Sequence, residues 1–313
     1  MPSRDKLYPV QAVRVNRREV LHLAVLASTG LAGILLFGCG GEEEKQEAPT
    51  QMPTTIAPSG FFNSDGLKIH YETFGEGKPI VLVHGWGADV KRNWVDTGWV
   101  QALQPVRRVV ALDCRGHGQS DKPHDPELYS YGTMARDVLH LMDHLGVAKA
   151  DLFGYSMGAM MGVYLLGHDR ERFTSVIMGG IGDETKESRD ACITIAYALM
   201  ARDPSQITDP LGQAYRAYAE SNPNNDLEAL AWSALRIWPE GYPVQVGGAG
   251  LADVDVPVLI VNGEDDHPYV ETDEKLAGAI PGARLVRIPD TNHFTVVPDP
   301  RFKEEVVGFL KEQ

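Results

Sequence analysis

Apolar runs and helix-like stretches alternate along the chain from residue 60 onward. Runs of consecutive apolar residues are typical of strands that are buried on both faces of a sheet. Strands are predicted at 79–83, 109–112, 148–153, 173–178, 257–261 and 284–288, and helices at 131–145, 157–167 and 301–311. This alternation predicts an α/β fold with a mostly parallel central sheet and helices on both faces.

A hairpin precedes this alternation. Residues 61–62 and 67–71 have the character of two short strands, and Ser64-Asp65-Gly66 separates them. Asp and Gly accept the backbone of a tight turn, so the two strands are predicted to pair antiparallel.

Residues 183–250 interrupt the rhythm of strand and helix. They contain helix-like segments at 191–202 and 227–237 with no strand run between them. The segment is predicted to be an inserted helical cap over the strand ends, which leaves 59–182 and 251–313 as the α/β core. Its large apolar side chains could form a lid over a substrate or the cap's own core: Tyr197, Met200, Tyr215, Tyr218, Trp232 and Trp238.

The first 38 residues have the composition of an export signal and are kept out of the fold. A basic region ends at Arg18, and an apolar stretch leads to Leu-Phe-Gly-Cys at 36–39, which resembles the lipobox of bacterial lipoproteins. Asn16-Arg17-Arg18 and the residues after it resemble a twin-arginine signal. The prediction is a lipid on Cys39, with an uncleaved anchor helix as the alternative; both place the protein outside the cytoplasm on a membrane. Residues 39–58 are predicted to be a disordered tether.

Composition narrows the function further. The chain of 313 residues carries a net charge of −14, which repels phosphate backbones and argues against nucleic-acid binding. Beyond Cys39 there are two further cysteines, Cys114 and Cys192, in different predicted regions, and the sequence leaves open whether they pair.

The most informative motif is Gly-Tyr-Ser-Met-Gly at 154–158. It matches G-x-S-x-G, in which a serine occupies a sharp turn between a strand and a helix, and the glycines leave room for that turn. A predicted strand ends just before it and a helix-forming segment follows, so the context fits the motif.

Four motifs together make the chain, over about residues 60–313, resemble the α/β-hydrolase family. His-Gly-Trp-Gly at 84–87 follows one strand, and Asp-Cys-Arg-Gly-His-Gly-Gln-Ser at 113–120 follows the next. The serine turn is the third, and the last comprises Gly-Glu-Asp-Asp at 263–266 with Asn-His-Phe at 292–294. The resemblance implies the α/β-hydrolase fold with a helical cap.

The resemblance also implies a catalytic triad in the chain order serine, acid, histidine. Ser156 would be the nucleophile, and His293 would take its proton during attack. The acid is expected to be Asp266, with Asp265 and Asp183 as alternatives. Its role would be to fix the imidazole tautomer and to stabilise the imidazolium.

Two backbone N–H groups, those of Trp86 and Met157, are implied to form the oxyanion hole. No metal and no organic cofactor are implied. His140 and His144 lie four residues apart on a predicted helix, but no Glu follows the first of them as in an H-E-x-x-H zinc motif, so a solvated helix face is expected.

The family resemblance therefore implies a serine hydrolase that cleaves a small carboxylic ester through an acyl-enzyme. A serine in the turn does not separate esterases from lactonases, C–C bond hydrolases or cofactor-free perhydrolases and haloperoxidases. A hypothesis of another class is a membrane-tethered binding protein that keeps the fold without turnover.

Overall fold

The computed structural model describes residues 59–183, 186–237 and 248–313. One eight-stranded sheet has the order β1-β2-β4-β3-β5-β6-β7-β8. Its strands are β1 Ser59–Ser64, β2 Leu67–Phe74, β3 Pro79–Val83, β4 Arg108–Leu112, β5 Ala150–Tyr155, β6 Phe173–Gly179, β7 Val258–Gly263 and β8 Arg284–Ile288. The export signal, Cys39 and the tether predicted from the sequence lie outside the described residues.

The pairing confirms the predicted fold class. Strands β1 and β2 form the antiparallel hairpin, and β2 also pairs antiparallel with β4. The remaining neighbours, from β4 through β3 to β8, all pair parallel. The sequence placed strand β5 two residues too early, because Gly154 and Tyr155 continue the ladder and Val83 pairs with Gly154.

The helices are α1 Trp99–Leu103, α2 Tyr131–His144, α3 Met157–His168, α4 Lys186–Met200, α5 Pro210–Glu220, α6 Leu227–Ile237, α7 Asp273–Gly278 and α8 Pro300–Lys311. Helix α5 was not predicted, although Asp209 caps it with its carboxylate and Pro210 opens it. Helix α4 lies further toward the N-terminus than the predicted 191–202. No helix within the described residues is both long and apolar enough to cross a membrane.

Apolar side chains of the sheet face two separate core layers. On β3, Val81 and Val83 pack into one layer with helices α2 and α3, whereas Ile80 and Leu82 pack into the other with α1 and α8. This alternation follows from the two-residue period of a strand and leaves every central strand buried on both faces.

Between β6 and β7 the described residues contain the three helices α4, α5 and α6. These helices share a small apolar core that includes Ile195, Leu199 and Leu230. Trp86, which follows strand β3, packs against that core. The three helices therefore adjoin the loop after β3, while the division of the chain into core and cap stays a prediction.

Candidate active site

Ser156 occupies the turn between strand β5 and helix α3. Its backbone has φ 51° and ψ −112°, a conformation that side-chain-bearing residues rarely adopt. Its N–H donates to Gly179 O on the neighbouring strand at 2.8 Å, so the sheet holds the turn in place. Backbone strain of this kind persists where the surrounding structure enforces it, and it is concentrated at functional sites.

Two glycines make this turn sterically possible. A Cβ on Gly158 would lie 2.0 Å from Val83 O, and one on Gly154 would lie 2.2 Å from Gly158 O. Helix α3 thus starts in direct contact with the end of strand β3. The glycines of the G-x-S-x-G motif are required by this close approach of three backbone segments.

The structure brings Ser156, His293 and Asp266 into one line of hydrogen-bond contacts. His293 Nε2 lies 3.0 Å from Ser156 Oγ, and His293 Nδ1 lies 3.0 Å from both carboxylate oxygens of Asp266. Asp266 is 1% exposed, whereas His293 and Ser156 are half-buried at the cavity surface. If Nδ1 carries the proton and donates it to Asp266, Nε2 is left to accept the serine hydroxyl proton.

The two other acids that the sequence left open lie in different surroundings. Asp265 is exposed, and Asp183 is buried with its carboxylate against the ammonium of Lys275. His267, which is adjacent to Asp266 in sequence, is exposed and contacts Glu271. Asp266 is the carboxylate for which a contact with the His293 imidazole is seen.

Two tyrosines hold His293 in place, and sequence reasoning had not singled them out. Tyr269 stacks on the imidazole, with ring centroids 5.2 Å apart and an interplanar angle of 28°. The Tyr155 hydroxyl donates a hydrogen bond to His293 O. Burial raises the pKa of Tyr155 well above its usual value, so it stays a neutral donor. The sequence signal for Tyr155 was its position directly before the serine in the G-x-S-x-G motif.

The backbone of Trp86 and Met157 lies beside the serine. Met157 is the first residue of helix α3, and the N–H groups of a first helical turn have no carbonyl partner within the helix. Trp86 follows Gly85, where an added Cβ would come within 3.4 Å of Ser156 Cβ. Both residues line the same cavity as Ser156, which fits the oxyanion donors expected from the sequence.

The side chain of Trp86 joins this loop to the helical segment above it. Its indole Nε1 donates to Ser233 Oγ at 3.0 Å and to Leu230 O at 3.3 Å on helix α6. Its ring lies 5.8 Å from that of Tyr215. A loop that carries an expected oxyanion donor is therefore tied directly to α6.

A cavity of about 750 Å³ lies above Ser156. The apolar side chains proposed as a lid divide between the two expected roles: Tyr215 and Tyr218 line the cavity, whereas Met200 packs in the core of the α4–α6 helices and Trp232 against the main core. Tyr197 is half-buried, and Trp238 lies outside the described residues. A cavity of this size accommodates a small-molecule substrate.

The loop after β4, which carries the 113–120 motif, is structural. Asp113 accepts hydrogen bonds from the N–H groups of Val90 and Gln119 at 2.8 Å each, and contacts His70 at 2.9 Å. Burial would raise the pKa of Asp113, but these hydrogen bonds outweigh it and lower the pKa below its usual value. The carboxylate thereby holds the backbone of Val90, which directly precedes the cavity-lining residues 91–93.

The remaining histidines have structural contacts as well. Cys114 N donates to His84 Nε2 at 3.0 Å, and His140 Nδ1 lies 2.8 Å from Ser64 Oγ. His144 stacks on a neighbouring aromatic ring. Within the described ranges, no group of three or more His, Cys, Asp or Glu residues is arranged to hold a metal ion.

Comparison with known proteins agrees with the fold. Residues 78–197 match the family model of the alpha/beta hydrolase fold. The crystal structure of the enol-lactonase from Burkholderia xenovorans LB400 superposes with a TM-score of 0.63 at 27% identity, covering 80% of this chain and 100% of that one.

Two curated relatives align with this chain over most of their own length. The non-heme chloroperoxidase CPO-A1 of Kitasatospora aureofaciens is 26% identical over 286 residues, which cover 79% of this chain and 98% of the relative. The 2-hydroxy-6-oxo-6-(2'-aminophenyl)hexa-2,4-dienoic acid hydrolase of Metapseudomonas resinovorans is 27% identical, with coverage of 81% and 91%. Together with the sheet order, these similarities show that the chain has the α/β-hydrolase fold.

Proposed function

We propose that the protein is a serine hydrolase that cleaves a small carboxylic ester through an acyl-enzyme. The observation that carries the proposal is the line of contacts from Ser156 Oγ through the His293 imidazole to the buried Asp266 carboxylate. A serine hydroxyl needs such a base to become nucleophilic at neutral pH. The family similarity supports hydrolase chemistry in general, and the ester is our specific assignment.

In the proposed reaction, Ser156 Oγ attacks the ester carbonyl while His293 Nε2 takes the hydroxyl proton. The negative oxygen of the tetrahedral intermediate accepts hydrogen bonds from the N–H groups of Trp86 and Met157, each worth about 3 kcal/mol. Collapse of the intermediate expels the alcohol, which receives the proton from His293. Water then attacks the acyl-enzyme with His293 as base, releasing the acid and restoring the serine.

Lactones are a second candidate substrate class, because a lactone is a cyclic ester and reacts by the same steps. The similarity to the enol-lactonase from Burkholderia xenovorans LB400 favours this candidate. Opening a lactone keeps the alcohol attached to the acyl group, so the acyl-enzyme carries the leaving group with it. Parallel assays with an ester and a lactone of equal carbon number would rank the two classes.

The decisive assay is hydrolysis of a p-nitrophenyl ester series, from acetate to palmitate, by the full chain and by its Ser156→Ala variant. We expect turnover by the wild type and a loss of at least about 10⁴-fold in kcat for the variant. A fluorophosphonate should label the wild type at Ser156 and leave the variant unlabelled. Folded wild type that neither turns over esters or lactones nor reacts with the probe would instead favour the binding-protein hypothesis.

We also propose that the protein is exported and held on a membrane by a lipid on Cys39. The proposal is supported by the Leu-Phe-Gly-Cys sequence at 36–39 and the twin-arginine-like segment before it. Expression in a bacterial host with Cys39→Ser as the matched variant would test it. We expect the wild type in the membrane fraction with incorporated palmitate, and the variant without the label; an unlabelled wild type would contradict the proposal.

A further inference from the structure

Arg92 and Asn93 lie side by side in a π-helical turn, Lys91–Val95, and both line the cavity that contains Ser156. Each has a buried side-chain nitrogen for which no hydrogen-bond partner is present among the described residues: Nη1 of Arg92 and Nδ2 of Asn93. Buried polar groups in proteins are nearly always hydrogen-bonded, and buried charges are nearly always paired. Two adjacent orphan donors in one cavity wall therefore point to a partner that arrives with a ligand.

Asp89, which lines the same cavity, is not the missing partner of Arg92. Asp89 uses one carboxylate oxygen to accept the backbone N–H of Arg92 at 2.8 Å and the other to accept Asn222 Nδ2 at 3.0 Å. Within the described part of the chain, no carboxylate lies within 4.0 Å of the Arg92 guanidinium. Among the described residues, its positive charge therefore has no counter-ion at the cavity.

Arg92 is held in position by an aromatic contact. Its guanidinium carbon lies 4.9 Å from the ring centroid of Tyr218, which is a cation–π arrangement. The Tyr218 ring in turn contacts that of Phe294 at 5.8 Å, and Phe294 lies 5.5 Å from the His293 ring. A short row of rings thus connects the guanidinium to the proposed base.

Asn93 is fixed still closer to Ser156. It is 6% exposed, and its Oδ1 accepts the N–H of Gly85 at 2.9 Å. A Cβ built on Gly85 would lie 3.4 Å from Ser156 Cβ and 3.5 Å from Asn93 Oδ1, so the amide and the serine flank the same residue. Since Oδ1 is occupied, Nδ2 is oriented as a donor.

We propose that Arg92 and Asn93 form a subsite for a carboxylate carried by the substrate in addition to its ester group. This inference rests on the proposed hydrolase function and specifies its substrate class as half-esters of dicarboxylic acids and lactones that bear a free carboxylate. One guanidinium balances one carboxylate charge, and its fork can donate two parallel hydrogen bonds to the two oxygens. The amide of Asn93 adds a further donor.

The kinetic test compares the p-nitrophenyl half-esters of adipate and suberate with the same compounds methylated at the free carboxylate. We expect the wild type to have at least about a ten-fold higher kcat/KM for the anionic member of a pair, with the difference mainly in KM. Arg92→Gln should abolish that preference, because it should lower kcat/KM for the anionic member of each pair more than for its methylated counterpart. Arg92→Lys, which keeps the charge without the fork, should retain part of it.

Two matched variants isolate the proposed contacts. Arg136→Gln removes a positive charge from an exposed side chain of helix α2, outside the cavity, and should leave the preference unchanged. Asn93→Asp keeps an acceptor for Gly85 N–H but replaces the donor amide with a carboxylate oxygen. It should therefore lower kcat/KM for the anionic substrate more than for the methylated one. Equal losses on both esters in a variant that is folded by circular dichroism would overturn the role of Asn93.

A binding measurement separates this inference from the hydrolase proposal. Adipate should bind Ser156→Ala in calorimetry, and the double variant with Arg92→Gln should bind at least about ten-fold more weakly. Such binding without ester turnover by the wild type would contradict the proposed hydrolase function but would still support the carboxylate subsite. Absence of adipate binding together with equal kcat/KM for both members of each pair would overturn the subsite, and inorganic phosphate binding as tightly as adipate would overturn its assignment to carboxylates.

Discussion

The imidazole Nε2 of His293 lies 3.0 Å from the Oγ of Ser156, although 137 positions separate the two residues along the chain. Ser156 follows the fifth strand of the sheet and His293 follows the eighth. Parallel strands place their carboxyl ends at one edge, where ligands bind in open α/β sheets. The parallel arrangement of these strands therefore brings the two residues into contact.

Backbone strain at Ser156 should lower the free energy of unfolding by a measurable amount. Replacing it with Gly gives the positive φ of 51° to a residue that tolerates it, whereas Ala retains the unfavourable conformation. We expect Ser156→Gly to be about 1 kcal/mol more stable than Ser156→Ala. Urea unfolding of the two inactive variants measures the difference, and a less stable Gly variant would contradict stored strain at this turn.

The orientation of the base should depend on one acid. Asp266→Asn would remove the carboxylate that selects the His293 tautomer, and we expect kcat to fall about 10⁴-fold. Asp265→Asn is the matched control, because its side chain is exposed and one position away. Its kcat should stay within a factor of two. The p-nitrophenyl ester assay decides the case, and equal effects in the two variants would argue against Asp266 as the triad acid.

The approach of helix α3 to strand β3 should exclude any side chain at Gly158. A Cβ there would meet Val83 O at 2.0 Å, so we expect Gly158→Ala to cost more than about 3 kcal/mol and to yield little folded protein. Gly308→Ala is the control, because it lies in helix α8 with open space around its Cα. That variant should be stabilised by about 0.5–1 kcal/mol. Soluble yield and thermal melting would compare the two.

Acid should destabilise the protein partly through His117. This side chain is 0% exposed, and burial, reinforced by His84, lowers its pKa to about 3. In the unfolded chain the pKa returns to about 6.5, so between these values the unfolded state binds the extra proton. Its contribution to the free energy of unfolding should therefore fall by about 2 kcal/mol between pH 7 and pH 5.

Urea unfolding at pH 7 and pH 5 measures that loss. His117→Gln should lose less stability than the wild type over the same interval, since Gln does not titrate. His168→Gln, at the exposed end of helix α3, should follow the wild type. A His117→Gln variant with the wild-type pH dependence would show that the histidine does not take up a proton on unfolding.

Local sequence determined the strands, most of the helices and the identity of the reactive residues. An apolar run such as 79–83 specifies a buried strand by itself, because every one of its side chains must leave water. The G-x-S-x-G motif specifies a strained turn in the same local way, since the glycines are needed within five residues of one another. Helix α5 was not predicted, although its Asp209-Pro210 start was an available signal.

Only the tertiary structure chose among residues that are far apart in sequence. The sequence favoured Asp266 but left Asp265 and Asp183 open, and the structure makes the choice by burying the Asp266 carboxylate beside His293. The stacking of Tyr269 and the orphan donors of Arg92 and Asn93 are likewise visible only after the strand ends converge. Periodicity along the chain reports which side chains leave water, whereas contacts between loops depend on sheet order and register, which are relations between distant segments.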